Sequence, residues 1–164
     1  MPGGPPLIAG RLAQVAFVAL LGGGVLSLAA CDDGEPVDVG APPTVSGPAA
    51  HACTELTREL PDGVDGRHRR DTEPGSDLVW AWGDPPVVMR CGVPRPAGSV
   101  PGAQLIEVND VDWTLDEGPT GYVFTSYGRA AFVEVTVPTS VPRERATSPL
   151  VDLAAPVGKA DPKV

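Results

Sequence analysis

Residues 12–30 carry no charge, and they end in Leu28-Ala29-Ala30-Cys31, where small side chains lead directly into a cysteine. As a helix the run would reach roughly 28 Å, close to the thickness of a bilayer's hydrocarbon core. Gly22, Gly23 and Gly24, with the polar Gln14 and Ser27, weaken such a helix. The small residues before the cysteine suit a peptidase that draws in an apolar segment and cuts beside a small side chain. Under either reading Arg11 marks the cytoplasmic side, and Asp32, Asp33 and Glu35 the far side. Only the chain beyond residue 30 is therefore expected to fold as a domain.

The four residues resemble the lipobox of bacterial lipoproteins, with Leu, Ala, Ala and Cys matching at every position. The resemblance implies that the Cys31 thiol receives a diacylglyceryl group and that residues 1–30 are removed as a signal peptide. Cys31 would then become the first residue, carrying acyl chains of the palmitate class. Two acyl chains anchor stably where one does not. An uncleaved transmembrane anchor is the alternative.

Loss of residues 1–30 leaves 134 residues with 11 basic and 21 acidic side chains, a formal net charge of −10. That balance argues against nucleic acid and against an anionic lipid surface as partners. Two lysines against ten arginines, with abundant Ala, Gly, Pro and Val, fit a genome rich in G and C. Of the three cysteines, lipidation would take Cys31 and leave Cys53 and Cys91 as a pair in an oxidising compartment, where a disulfide is expected. Closing that loop of about 39 residues would contribute roughly 4 kcal/mol by the chain-entropy relation. A zinc site of His51, Cys53, His68 and Cys91 is the competing reading. Its spacing matches no compact zinc motif, and His51 and Cys53 cannot share a helix face.

Residues 31–47, lipidated cysteine included, read as an acidic Pro/Gly-rich linker: from residue 32 onward they hold four acids and no base. Free, 16 residues would hold the domain about 20–24 Å from the membrane on average. Cys53, Leu56 and Leu60 fall at helical spacing in residues 48–60, with Pro48 in the first turn and Pro61 as the stop. Residues 62–76 read as a polar loop. Within it Arg67-His68-Arg69-Arg70 is the densest basic cluster and the candidate ligand-binding patch for an anionic envelope polymer or headgroup. Asp62, Asp65, Asp71 and Glu73 locally cancel its charge.

Residues 78–82 and 87–93 read as strands around the turn Gly83-Asp84-Pro85-Pro86. Val87, Met89 and Cys91 share one face, so a disulfide from Cys53 would clip the helix to the sheet. Trp80 and Trp82 also share a face, as core or as a sugar-stacking platform. A two-residue loop at Asn109-Asp110 pairs Val108 with Val111 and Ile106 with Trp113. A similar loop at Gly128-Arg129 pairs Phe124 with Val133 and Tyr122 with Val135. Gly118-Pro119-Thr120-Gly121 links the hairpins. Glu107 opposite Asp112 is a like-charge pair that needs a neutralising neighbour. Ser148-Pro149 opens a short closing helix over residues 150–155 that Pro156 stops, and residues 158–164 read as a disordered tail.

No Gly-x-Ser-x-Gly, His-Glu-x-x-His, Walker or Gly-x-Gly-x-x-Gly pattern occurs. Asp116 and Glu117 beside a Gly-Pro turn are the nearest approach to a carboxylate pair for glycan cleavage. No catalytic residue, metal or cofactor is assigned.

Trp82-Gly83-Asp84-Pro85-Pro86-Val87-Val88, Arg90-Cys91-Gly92, Ile106-Glu107-Val108-Asn109, Val111-Asp112-Trp113 and Tyr122-Val123-Phe124 resemble an actinobacterial family of exported or membrane-anchored lipoproteins. That family is catalogued as a domain of unknown function, number 3515. The resemblance covers about residues 49–157 and implies an envelope location, with no activity or ligand attached.

The expected molecule is an α+β domain at residues 48–157. It comprises a small antiparallel β-meander of four to five strands, an N-terminal helix, a short C-terminal helix and one disulfide. Its expected role is that of a noncatalytic accessory or binding module, lipid-anchored on the extracytoplasmic face of the cell membrane, with an envelope protein or cell-wall polymer as partner. A small-ligand or metal-binding lipoprotein using His51, His68 or Glu107 and Asp112 is the first alternative, and an envelope hydrolase the second.

Overall fold

A computed structural model describes Met1, residues 34–97 and residues 100–164. The features below belong to the unit Asp32–Val164. The run 12–30 and Cys31 lie outside the described residues.

Elements follow in the order β1 (Val37–Asp38), α1 (Gly47–Glu59), β2 (Gly63–Val64), β3 (Arg67–Arg70), β4 (Thr72–Glu73), β5 (Val79–Trp82) and β6 (Val87–Cys91). Then come β7 (Ile106–Val108), β8 (Val111–Gly118), β9 (Gly121–Ser126), β10 (Val133–Pro138), a 3₁₀ turn at Arg143–Arg145 and α2 (Ser148–Ala160). Eight strands form an antiparallel sheet in the order β2-β3-β5-β6-β10-β9-β8-β7. A separate parallel pair joins β1 to β4. The meander β7 to β10 is present, and β10 adds β6 beside it. The sheet then continues through β5, β3 and β2, past the four to five strands expected.

Period-two alternation explains the layering. In β6 and β10 every odd position is buried: Val87, Met89 and Cys91, then Val133, Val135 and Val137. The ladder carries that face across the sheet, from Trp80 to Met89, Val135, Phe124 and Leu115. Both tryptophans expected on β5 are core residues, Trp80 at 7% and Trp82 at 0% exposure. α1 packs beside α2, and α2 meets β8, β10, β2 and β7. Leu56, Leu150, Leu153 and Val157 thus share one buried cluster with the sheet's inner side. The Cys53–Cys91 disulfide, with Cα atoms 5.7 Å apart, fastens α1 to β6 from within that cluster.

Five further expectations need correction. Residues 62–76 are not a loop, because β2, β3 and β4 run through them; Arg69 lies over the Trp82 ring at 5.5 Å, so the ladder gains a stacking contact where composition indicated only polarity. The hairpin after β9 keeps the expected faces but slides by two residues, pairing Phe124 with Val135 and Tyr122 with Val137. A slip of two preserves the inward side chains, so the apolar pattern does not distinguish the registers. The closing helix passes Pro156 and ends at Ala160. The contacts of Leu153, Ala154 and Val157 offset the helix bond that proline cannot donate.

The remaining two concern the ends. Residues 158–164 are held in place: Asp161 is 1% exposed, Lys163 bridges to Arg129, and the Val164 amide donates to the Gly128 carbonyl at 3.0 Å. From Gly34 onward the expected linker is docked as well. The Val37 amide donates to the Asp71 carbonyl at 2.8 Å, the Val39 amide to the Glu73 carbonyl at 3.0 Å, and Val39 is buried.

Candidate functional site

The sheet's other side is open to chemistry because polar side chains on β6, β10, β9 and β8 meet there. Arg90 on β6 lies opposite Glu134 on β10, and Glu134 lies opposite Thr125 on β9. Asp116, two residues beyond Thr114 on β8, projects from the same side. These four residues line an open groove of about 390 Å³. One wall is the docked arm at Ala41 and Pro43, and the other is the segment Val93, Pro94 and Pro96.

Each wall has a visible cause. Arg90 reaches across the arm and donates to the carbonyls of Val39 and of Ala41, the latter at 3.2 Å. The arm then turns into α1, where Val45 lies against Gly92 and hence beside the disulfide. Opposite, the Gly92 and Val93 amides donate to the Phe132 carbonyl at 2.9 and 3.2 Å, and Arg95 stacks over the Phe132 ring at 5.3 Å. Prolines on both walls keep backbone donors few and the walls stiff.

Glu134 is half-buried in this groove, and burial pushes its carboxyl up from the ordinary value; the Arg90 guanidinium only partly opposes that rise. Asp116 on the rim is exposed. The groove can accept hydrogen bonds from a ligand through two carboxylates, while Nη1 and Nη2 of Arg90 each already donate to a carbonyl of the arm. Arg90 and Glu134 were not singled out from the sequence. Their signal was present in V-V-M-R-C and V-E-V-T-V, where a cation and an anion interrupt apolar strands at positions that become cross-strand neighbours.

The basic cluster is divided by the fold. Arg67 forms an ion pair with Asp65. Arg70 donates to the carbonyls of Gly83 at 3.1 Å and Glu35 at 2.6 Å, tying the arm to the domain. His68 is exposed. Arg69 stacks on Trp82, and its Nε and Nη2 are buried with no protein hydrogen-bond partner. The four residues therefore do not form one cationic patch.

The zinc reading loses two ligands to the disulfide, and His51 on α1 and His68 on β3 are both exposed. Among the described residues no group of three or more His, Cys, Asp or Glu is placed to hold a metal ion. The neutralising partner required by Glu107 and Asp112 is Lys163, whose Nζ lies 3.3 Å from Asp112 Oδ2. Glu117 is occupied by Arg143, which donates through Nε at 3.1 Å. The carboxylate that shares a groove with Asp116 is thus Glu134, not its sequence neighbour.

A buried anchor supports the far end of the sheet. The Asp161 carboxylate accepts the amides of Ala130 and Ala131, each at 3.0 Å. Arg129, 6% exposed, donates to the carbonyls of Asp161 and Asp110. Burial pushes the Asp161 carboxyl up, with the two amides and Arg129 pulling the other way.

No described helix is long and apolar enough to cross a membrane. In comparison with known proteins, the model of a family described as "Protein of unknown function (DUF3515)" matches residues 11–164. No curated protein and no solved structure matches the chain.

Proposed function

The chain belongs to this family of unknown function, and from that premise we propose that it is a noncatalytic binding module of the cell envelope. It is held on the extracytoplasmic face of the membrane by a diacylglyceryl group on Cys31. It works by seating a partner protein or cell-wall polymer in the groove between the docked arm and residues 93–96. The observation that carries the reading is the pairing of Arg90 with the arm. One guanidinium fixes a proline-bearing wall over a polar sheet face and leaves Glu134 and Asp116 turned to a ligand.

Three further features support it. A Cys53–Cys91 disulfide suits an oxidising compartment. Leu28-Ala29-Ala30-Cys31 supplies the acylation signal. The most buried charged groups are engaged in holding the fold together, as Arg129 and Asp161 illustrate, which is the arrangement of a rigid display scaffold. A second reading, a small ligand in the same groove, is favoured by the burial of Glu134, since a ligand cation would relieve the cost of ionising it.

Photo-crosslinking in intact cells tests the binding reading. A photoreactive residue at Asp116 is expected to yield a discrete adduct that the same group at the exposed Val151 of α2 does not. Identical adduct patterns from the two positions would reject the groove as the binding surface.

A further inference from the structure

The docked arm changes what an anchor at Cys31 would mean for the domain's position. Two residues separate Cys31 from Gly34, and Glu35 is already bonded to Arg70. Three backbone steps span at most about 11 Å. The headgroup layer on each side of a bilayer is roughly 5–8 Å deep. The point where the chain leaves the domain would therefore lie at headgroup level, with no room for the 20–24 Å spacing of a free linker.

A cleft of about 570 Å³ opens beside that exit point, lined by Pro36 of the arm and by Arg69, Arg70, Ser76 and Asp77. Nε and Nη2 form one edge of the Arg69 guanidinium, the edge that grips a phosphate bidentately; both are shielded from solvent and neither has a protein partner, so a phosphate seated there would have to displace the groups that cover that edge. Trp82 holds the guanidinium plane from below. Asp71, Glu73 and Asp77 stand exposed on the rim. A cation at the base and carboxylates at the mouth complement a ligand that carries both charges, and repel one that is only anionic.

We propose that this cleft is the membrane-facing surface of the anchored domain and seats a zwitterionic phospholipid headgroup, its phosphate on Arg69 and its ammonium on the acidic rim. The orientation half of this inference rests on acylation of Cys31; the recognition half does not. The desolvated state of Arg69, which holds its guanidinium below the ordinary value against the influence of Asp62, is what a phosphate partner would relieve.

The test uses the full acylated chain in nanodiscs, and soluble O-phosphoethanolamine as the headgroup probe. Phosphoethanolamine is expected to shift the Arg69 Nε–Hε resonance saturably and to bind about tenfold more tightly than inorganic phosphate, the scale of one charge-assisted bond. Arg69→Gln should abolish that binding. Should Arg69→Gln fail to fold, Asp77→Lys on the exposed rim should erase the preference over inorganic phosphate. Nitroxide-labelled headgroups should broaden the amides of Gly34, Glu35 and residues 69–73 and 75–77 and leave α2 sharp. No shift, equal affinity for the two probes, or broadening centred on α2 would overturn the proposal. Acylation is scored separately by mass: an unacylated chain that binds phosphoethanolamine loses the anchor and keeps the cleft, and an acylated one that does not bind loses the cleft alone.

Discussion

Gly92 shows how much one position controls. Its φ of +86° lies where side chains are strained, and a Cβ there would collide with Val45 of the arm. Gly92→Ala is expected to cost about 1–3 kcal/mol, and chemical denaturation should show it together with faster amide exchange at Val37 and Val39. Glu134 makes a different statement. Its folded carboxyl is raised above the ordinary 4.5, so the folded state holds the proton more tightly than the unfolded state. Its stabilising contribution is full below that ordinary value and is lost as pH rises through the raised one. Glu134→Gln should therefore be more stable than the parent at pH 7 and gain nothing near pH 3; unfolding midpoints that respond equally at both would contradict the burial of this group. Gly92 and Arg90 stood in the sequence segments that resemble the family, yet their roles were illegible because both act on an arm some 50 residues earlier.

At the scale of elements, the hairpin of β7 and β8 was legible to the residue. Asn109 and Asp110 both take positive φ, 47° and 64°, and the two-residue turn they make fixes the register that the apolar pattern also requires. The hairpin of β9 and β10 was not, because its turn is shaped from 30 residues away by Asp161 gripping the Ala130 and Ala131 amides. Composition called the arm a linker and the last residues a tail. Both carried a weaker contrary signal, Val37 and Val39 in alternation and apolar Leu153 and Val157 continuing a helical stripe past Ala155. The last turn is consequently structural. Asp161→Ala should cost about 1–3 kcal/mol for the buried Ala131 amide left unpaired, and less for the half-buried Ala130 amide, read by thermal denaturation, with loss of exchange protection at Ala130 and Ala131 as the local signature. If stability and protection are unchanged, the C-terminal residues do not anchor the sheet.

For the whole molecule, a two-layer domain keeps its apolar side against two helices and closes that side covalently at Cys53 and Cys91, leaving polar chemistry on the opposite side. The sheet's inner face could be read from periodicity, and the disulfide from the two cysteines left once Cys31 is set aside; Trp80 and Trp82 stood open between core and stacking platform until the fold buried them. The groove could not be read at all, since it exists only where arm, β6, β10 and β8 meet. Reducing the disulfide should destabilise the domain by about 4 kcal/mol on the chain-entropy relation, measured as a shift in denaturant midpoint with and without reductant. Address and cross-link belong together in this account. They are tested most directly by intact-mass analysis of the protein extracted from its native membrane after alkylation without reductant. The expected species begins at a diacylglyceryl Cys31 and carries no alkyl group on Cys53 or Cys91. A chain that retains residues 1–30, with alkylated thiols at positions 31, 53 and 91, would contradict it.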